Sequence, residues 1–404
     1  MRHVTTTDDN IDRRSVREAL TECIQGADGF LHLDPALVAR DWLPPGRRLG
    51  LADDEYDLGE RGSICERWLG STTHADNRVG PPDEGISYIR GDGVRLGLDV
   101  AVRHGGDLVM GEAYAAKHSG LGRLAKIFDY GARIPLHIHP PADQAALVGR
   151  NSKDEAYYYP PGVDMGDHPE SFYGVHPWIA EQGDGEVLLP YLEAWEDDAI
   201  LKHTFGYVQV PEEGFLIDSG ILHAPGTALT IELQEDADTM AMFQALNAGT
   251  IISKEMLFKD VSDEDREKLG ERALLRWIDW PANGDPYFYE RRVLRPLVFR
   301  SEPGVEEAWL FHGTQKFSGK RITVAPGARV TDLEAGVYNL LAWQGKGTVG
   351  GQPVRGQVVG QDELLVVHSA ATQPHEIVNE GDDPLVLIKF FGPDINMDVP
   401  PAGL

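Results

Sequence analysis

The sequence predicts a mainly β protein, two jelly-roll barrels with a few helices. Three observations carry that expectation. Apolar runs of strand length, broken by Gly, Pro and Asp clusters, dominate the chain. Helix signals are sparse. The two halves also echo each other: residues 210–223 read as a strand, a turn and a histidine, residues 359–379 repeat that grammar, and each then runs into a further strand.

Taken in order, residues 1–59 read as an N-terminal extension with one short helix over 13–25, begun near Asn10 or Asp12. A first barrel is expected over 60–248, with strands at 208–210, 215–217, 229–233 and 240–243. A connection over 249–300 holds the stronger helix signal, 262–279. There Ser262 offers an N-cap, and Asp263, Glu264 and Asp265 suit the positive end of the helix dipole. Leu269, Ala273, Leu274 and Trp277 follow at helical spacing. A second barrel is expected over 301–396, with strands at 309–311, 321–324, 337–342, 364–368 and 385–391. No His-x-His precedes it, so it is expected to lack metal ligands, with His375 a turn or core residue.

At 404 residues the chain is long enough for two domains with shared or adjoining cores. A hydrophobic content of 42% with 25% charged residues describes an ordinary globular protein. With 37 Lys and Arg against 65 Asp and Glu, the net charge of −28 repels nucleic acid, anionic membranes and polyphosphates. A small anionic substrate remains compatible where local cations override that field. Cys23 and Cys65 cannot build a disulfide framework and fit buried thiols in a reducing compartment. No apolar segment reads as a secretory signal or a membrane span, so a cytoplasmic protein is expected, as a monomer or homodimer.

Four residues read as one metal site. His137 and His139 stand two apart in an apolar run, 133–139, so on a strand both imidazoles share a face. Glu155 adds a hard oxygen and His223 a third imidazole. Three nitrogens and one oxygen suit zinc, with manganese, iron or nickel possible.

The order of motifs resembles the cupins of the phosphomannose isomerase type. The residues that carry the resemblance are Glu66-Arg-Trp68 with Ser71, Ala125-Lys-Ile-Phe-Asp129 leading to His137-Ile-His-Pro140, and Lys153-Asp-Glu155. Gly220-Ile-Leu-His-Ala-Pro-Gly226, Glu232-Leu-Gln-Glu-Asp-Ala-Asp-Thr239 and Trp277-Ile-Asp279 complete the set. Together they span roughly 60–280. The resemblance implies His139, Glu155 and His223 as ligands to a metal, usually zinc. At position 137 the family has glutamine, and histidine can take that place. Lys153 is implied to lie near the substrate; alone it would read as a solvated turn lysine. One departure stands out. The family's arginine after the Asp-Thr pair falls at or near Ala248, and Arg291, Arg292 or Lys202 are the candidates to replace it.

An aldose–ketose isomerisation of a sugar or sugar phosphate is the implied reaction. It needs a base at the C2 proton, and the candidates are Glu232, Lys153, Asp143, and His223 or Glu155 if not committed to metal. Glu232 shares its strand face with Thr230 and Gln234, as a polar stripe lining a barrel or as a wet surface. His168 and His176 fall in a Tyr- and Pro-rich insertion, 157–178, that reads as a lid or as a solvated loop. Its Tyr157, Tyr158, Tyr159 and Trp178 offer a sugar a flat wall, or anchor the loop. The same ligand set also suits a metal-dependent cupin oxygenase or decarboxylase, and a sugar-binding cupin without turnover is the third reading.

Overall fold

A computed structural model of the chain describes residues 2–4, 12–91, 93–183 and 185–404. The fold is mainly β, with a few short helices. One sheet has seven strands, in the order Val293–Leu294, Gly214–Ile217, Glu155–Tyr158, Thr230–Gln234, Leu124–Phe128, Ser63–Leu69 and Ala36–Arg40. It goes with a five-stranded sheet, Phe205–Val208, Glu170–Tyr173, His223–Ala224, His137–Ile138 and Ala241–Met242.

The same plan recurs further along the chain. Phe30–Asp34, Glu363–Val366, Tyr338–Gln344, Leu385–Phe391, Ser318–Val324, Val305–Phe311 and Leu297–Glu302 lie side by side in a ten-stranded sheet. Tyr88–Gly91, Val94–Gly97 and Arg2–Val4 extend it beyond Phe30–Asp34. A four-stranded sheet, Arg329–Asp332, His375–Asn379, Lys346–Val349 and Gln352–Arg355, completes this second set.

The leading strand of each set docks on the other. Phe30–Asp34 pairs with Glu363–Val366, placing Leu31 opposite Leu365. Val293–Leu294, which precedes the second set in sequence, pairs with Gly214–Ile217 of the first. Residues ahead of position 60 supply Arg2–Val4 and Phe30–Asp34 to the ten-stranded sheet and Ala36–Arg40 to the seven-stranded one.

Strand alternation decides what each face does. On the seven-stranded sheet, Leu69, Ile127, Ile231 and Leu233 point one way and share a buried core with Leu310, Phe311, Leu341, Ile388 and Phe390 of the ten-stranded sheet. Arg67 lies on that same face and grips Asp362 at 2.7 Å and Glu363 at 3.1 Å across the junction. The opposite face carries Glu66, Trp68, Lys126, Glu155, Tyr157 and Glu232, all buried.

Several local expectations meet the structure directly. The helix over 13–25 is Arg13–Gly26, capped by Asp12, whose carboxylate accepts from the Arg14 and Ser15 amides. Ser262 caps its helix through the Asp265 amide, but the segment breaks into Asp263–Leu269 and Arg272–Leu275. Gly270, at φ +56°, turns the chain there at no Cβ cost. The run 133–139 is laddered only at His137–Ile138. The insertion at 157–178 is not a lid of loose aromatics: Tyr157, Tyr158, Tyr159 and Tyr173 are core residues. Tyr173 stacks on Phe288 with 5.2 Å between ring centroids, and Trp178 remains exposed. His168 faces Glu170 at 3.4 Å with most of its side chain in solvent, and His176 sits edge-on to Phe205. Among the described residues no helix is long and apolar enough to cross a membrane.

Candidate metal centre

The ladder between the two short strands sets His223 directly opposite His137. The 137 and 223 ring centroids are 4.0 Å apart, and His139 lies 5.2 and 5.0 Å from them. Glu155 enters from the first residue of a strand of the facing sheet. All four side chains are buried, and one ligand atom from each lies within 4.8 Å of the others.

The tautomers follow from the backbone. Nδ1 of His137 contacts the Pro135 carbonyl at 2.8 Å, Nδ1 of His139 the Thr239 carbonyl at 2.6 Å, and Nδ1 of His223 the Ile221 carbonyl at 2.8 Å. A carbonyl oxygen only accepts, so each Nδ1 carries the proton and each Nε2 presents a lone pair. Two of those lone pairs face a carboxylate, His139 Nε2 at 3.0 Å from Glu155 Oε2 and His223 Nε2 at 2.9 Å from Oε1. His223 Nε2 finds no hydrogen-bond donor. Acceptors converging on acceptors in a buried site need a cation between them. The backbone bonds at Nδ1 also fix the rings as carbonyl partners do for metal-bound imidazoles. Burial, with neighbouring cationic or imidazole groups, holds His137 well below its ordinary pKa and His139 at about 3, so both rings stay neutral and able to ligate. The donor set fits a divalent metal.

Around this cluster runs a chain of buried charges. Lys153 Nζ donates to Glu155 Oε2 at 2.7 Å and lies 3.4 Å from Glu232. Lys126 lies 3.2 Å from the other Glu232 oxygen and 3.7 Å from Glu66. Arg40 then spans Glu66 and Asp238, 3.1 Å from each. Trp68 Nε1 and the Tyr130 hydroxyl both donate to Glu66. Burial pushes Glu66 up, but Arg40 and Lys126 outweigh it and hold the group at about 2. Glu232 ends differently. Burial raises it, Lys126 and Lys153 pull it down, Glu155 raises it again, and it settles at about 7. The polar face 230–234 is thus a lined interior and not a wet surface: Thr230, Glu232 and Gln234 are all buried.

The structure brings together His137, His139, Glu155, His223, Lys153 and Glu232. It leaves Asp143 outside, exposed at the start of the helix Ala142–Leu147. Arg291 pairs with Asp285 and Arg292 with Asp218, so both arginine candidates are engaged elsewhere, and the third candidate, Lys202, is exposed in the short turn Ala199–His203. Ala248, at φ +49°, lines a cavity of about 710 Å³ whose wall includes Arg40, Asp76, Asn77 and Met240. Arg40 and Lys126 are the interior cations that motif reading passed over. Lys126 was within reach, since it sits in the same motif as Asp129 and strand alternation aims it at Glu232.

The class that fold and centre define is a mainly β protein with a metal-competent His₃Glu cluster. No protein-family model matches the chain, and no curated protein matches it in sequence. Solved structures do match in fold. Mannose 6-phosphate isomerase from Bacillus subtilis superposes with a TM-score of 0.60 at 15% identity, over 89% of this chain and 99% of that one. A zinc-bound mannose 6-phosphate isomerase gives 0.61 at 12% identity, over 90% and 99%. A phosphomannose isomerase variant from Salmonella typhimurium gives 0.60 at 12% over the same shares. The fold is therefore that of the mannose 6-phosphate isomerases.

Proposed function

We propose that this protein is a metal-dependent aldose–ketose isomerase acting on a sugar or sugar phosphate, built as two cupin barrels. The observation that carries the reading is the convergence of three imidazole lone pairs and Glu155 on one point, with Glu232 beside it. A divalent ion, zinc by donor type, held by His137, His139, Glu155 and His223 would polarise adjacent carbonyl and hydroxyl oxygens of a sugar.

The chain's own residues then divide the proton work. A base with a pKa near 7 both takes and returns a proton efficiently, and Glu232 has that value. In this reading Glu232 removes the proton from C2 and delivers it to C1. Lys153 carries the hydroxyl proton between O2 and O1, and its charge, with that of Lys126, steadies the negative charge that develops on the enediolate. Lys126 and Lys153 also flank Glu232 and fix its position.

The place of Ala248 favours a second reading. With alanine at 248, and Arg40 of that cavity held by Glu66 and Asp238, a small-acid oxygenase or decarboxylase using the same ligands is the rival. Metal analysis and an anaerobic assay of mannose 6-phosphate, mannose and related aldoses separate the two. Zinc or manganese at about one per chain, with ketose formed in the absence of oxygen, is the expected result. Iron, with turnover only in air, would replace the isomerase by the oxygenase.

A further inference from the structure

The strand registers place a second, altered copy of the metal centre in the other pair of sheets. In the seven-stranded sheet Trp68 stands opposite Lys126, and Lys126 opposite Glu232. In the ten-stranded sheet Trp309 stands opposite Lys320, and Lys320 opposite Lys389. Two residues before each tryptophan is a glutamate, Glu66 or Glu307. Glu232 faces Tyr157 and Lys389 faces Leu340, so Glu155 and Tyr338, each two residues earlier, are equivalent. In the short sheets His223 faces His137, and His375 faces Asp332. His139 follows His137 by two residues, as Glu334 follows Asp332. The four ligand positions are thus Asp332, Glu334, Tyr338 and His375 in the second copy.

At the centre of that copy lies an ammonium. Lys389, fully buried, donates to Asp332 at 2.6 and 2.7 Å and to Glu334 at 2.8 Å. His375 Nε2 lies 3.2 Å from Asp332 and 3.1 Å from the Tyr338 hydroxyl. Lys320 reaches Glu334 at 2.7 Å, and Arg300 reaches Glu307 at 2.7 Å. Charge separates the two centres. Glu66, Glu155, Glu232 and Asp238 outnumber Arg40, Lys126 and Lys153 by one, beside three imidazoles. Glu307, Asp332 and Glu334 are matched one for one by Arg300, Lys320 and Lys389. The register position that is an anion at 232 is a cation at 389, and that single reversal fills the site from within.

We propose that the second centre is a divalent-cation site whose occupant is the chain's own Lys389 ammonium, so that removing this ammonium uncovers a second metal site. Its ligands, Asp332 and Glu334 with His375 and Tyr338, are mostly hard oxygens and would take manganese in preference to a soft ion. A buried acidic pair left without its cation is strongly disfavoured, which supplies the drive for metal uptake.

The test counts bound manganese on protein whose first centre is saturated with zinc. Wild type is expected to take up no further buried ion, and Lys389→Met one Mn²⁺ per chain, with a thermal midpoint that rises on Mn²⁺ addition only in the variant. A folded Lys389→Met protein that binds none at millimolar Mn²⁺ overturns the proposal. If the variant folds poorly without metal, refolding in Mn²⁺ should restore it, and failure of that rescue also overturns the proposal. Lys389→Met combined with Asp332→Asn and Glu334→Gln should fold without metal and bind no extra ion. An extra ion bound by that triple variant would place the ligands elsewhere and overturn it too.

Discussion

Glu232 sits between two ammonium groups and next to a second carboxylate, Glu155, and its tuning is a property of those neighbours. Glu232→Gln keeps the shape and removes the proton acceptor. Turnover should fall by roughly 10²- to 10⁴-fold with metal content unchanged, read by isomerase assay beside elemental analysis. Equal activity in the variant would return Glu232 to a structural part. Lys153→Met should likewise spare the metal while lowering turnover, whereas His139→Ala should lose both. Arg40 behaves differently because it touches no ligand. Arg40→Met leaves Asp238 buried without its ion-pair partner and Glu66 with Lys126 alone, at a cost of about 3–5 kcal/mol in urea unfolding. A change under 1 kcal/mol would show that the pair relaxes to solvent. At this scale the sequence was most readable where a side chain's type alone dictates its chemistry: His-x-His, the isolated Glu155 and His223. Arg40 was not readable, because its partners lie 26 and 198 residues away and nothing local marks it.

Elements were legible where their caps are local. Asp12 and Ser262 each accept from amides within three residues, so their helices announce themselves. The helix Leu98–Met110 gave no such signal. Its N-cap is Gly97 and it holds two glycines, one of which, Gly105, leaves room for Leu20: a Cβ there would meet the Leu20 Cδ2 methyl at 2.5 Å and displace it. The repeated Glu-x-Trp at 66–68 and 307–309 was visible in the letters, yet only strand register shows that both lead into equivalent lysines. Strand partners were the least legible feature, since nothing in Phe30–Asp34 says that it pairs with a segment more than 300 residues later. That pairing has a consequence. Leu31 is fully buried beside Leu365, so Leu31→Ala should cost about 2–5 kcal/mol. Hydrogen exchange should report the loss as reduced protection in Glu363–Val366, far along the chain. Protection lost only near residue 31 would mean that the exchanged strand is peripheral.

The exchange of leading strands makes the whole molecule one mechanical object. Val293–Leu294 ends the seven-stranded sheet, Phe30–Asp34 joins Glu363–Val366 to Tyr88–Gly91 within the ten-stranded one, the two sheets share the core of Leu69, Ile127, Ile231, Phe311 and Phe390, and Arg67 crosses the junction to two buried carboxylates. Neither set can unfold without uncovering the other's edge and back face, and an uncovered sheet edge with a buried apolar face is not a stable state in water. Unfolding should therefore be a single cooperative transition, although chains of this length often melt in parts. Metal bound to the His₃Glu centre then stabilises the second set as much as the first. At a free metal concentration one hundred times the dissociation constant the gain is about 2.7 kcal/mol. Calorimetry of chelated and zinc-loaded protein is the check. One endotherm that moves upward as a unit on zinc addition is the expected outcome. Two endotherms, with zinc shifting only one, would show that the strand exchange joins the sets without coupling their stability.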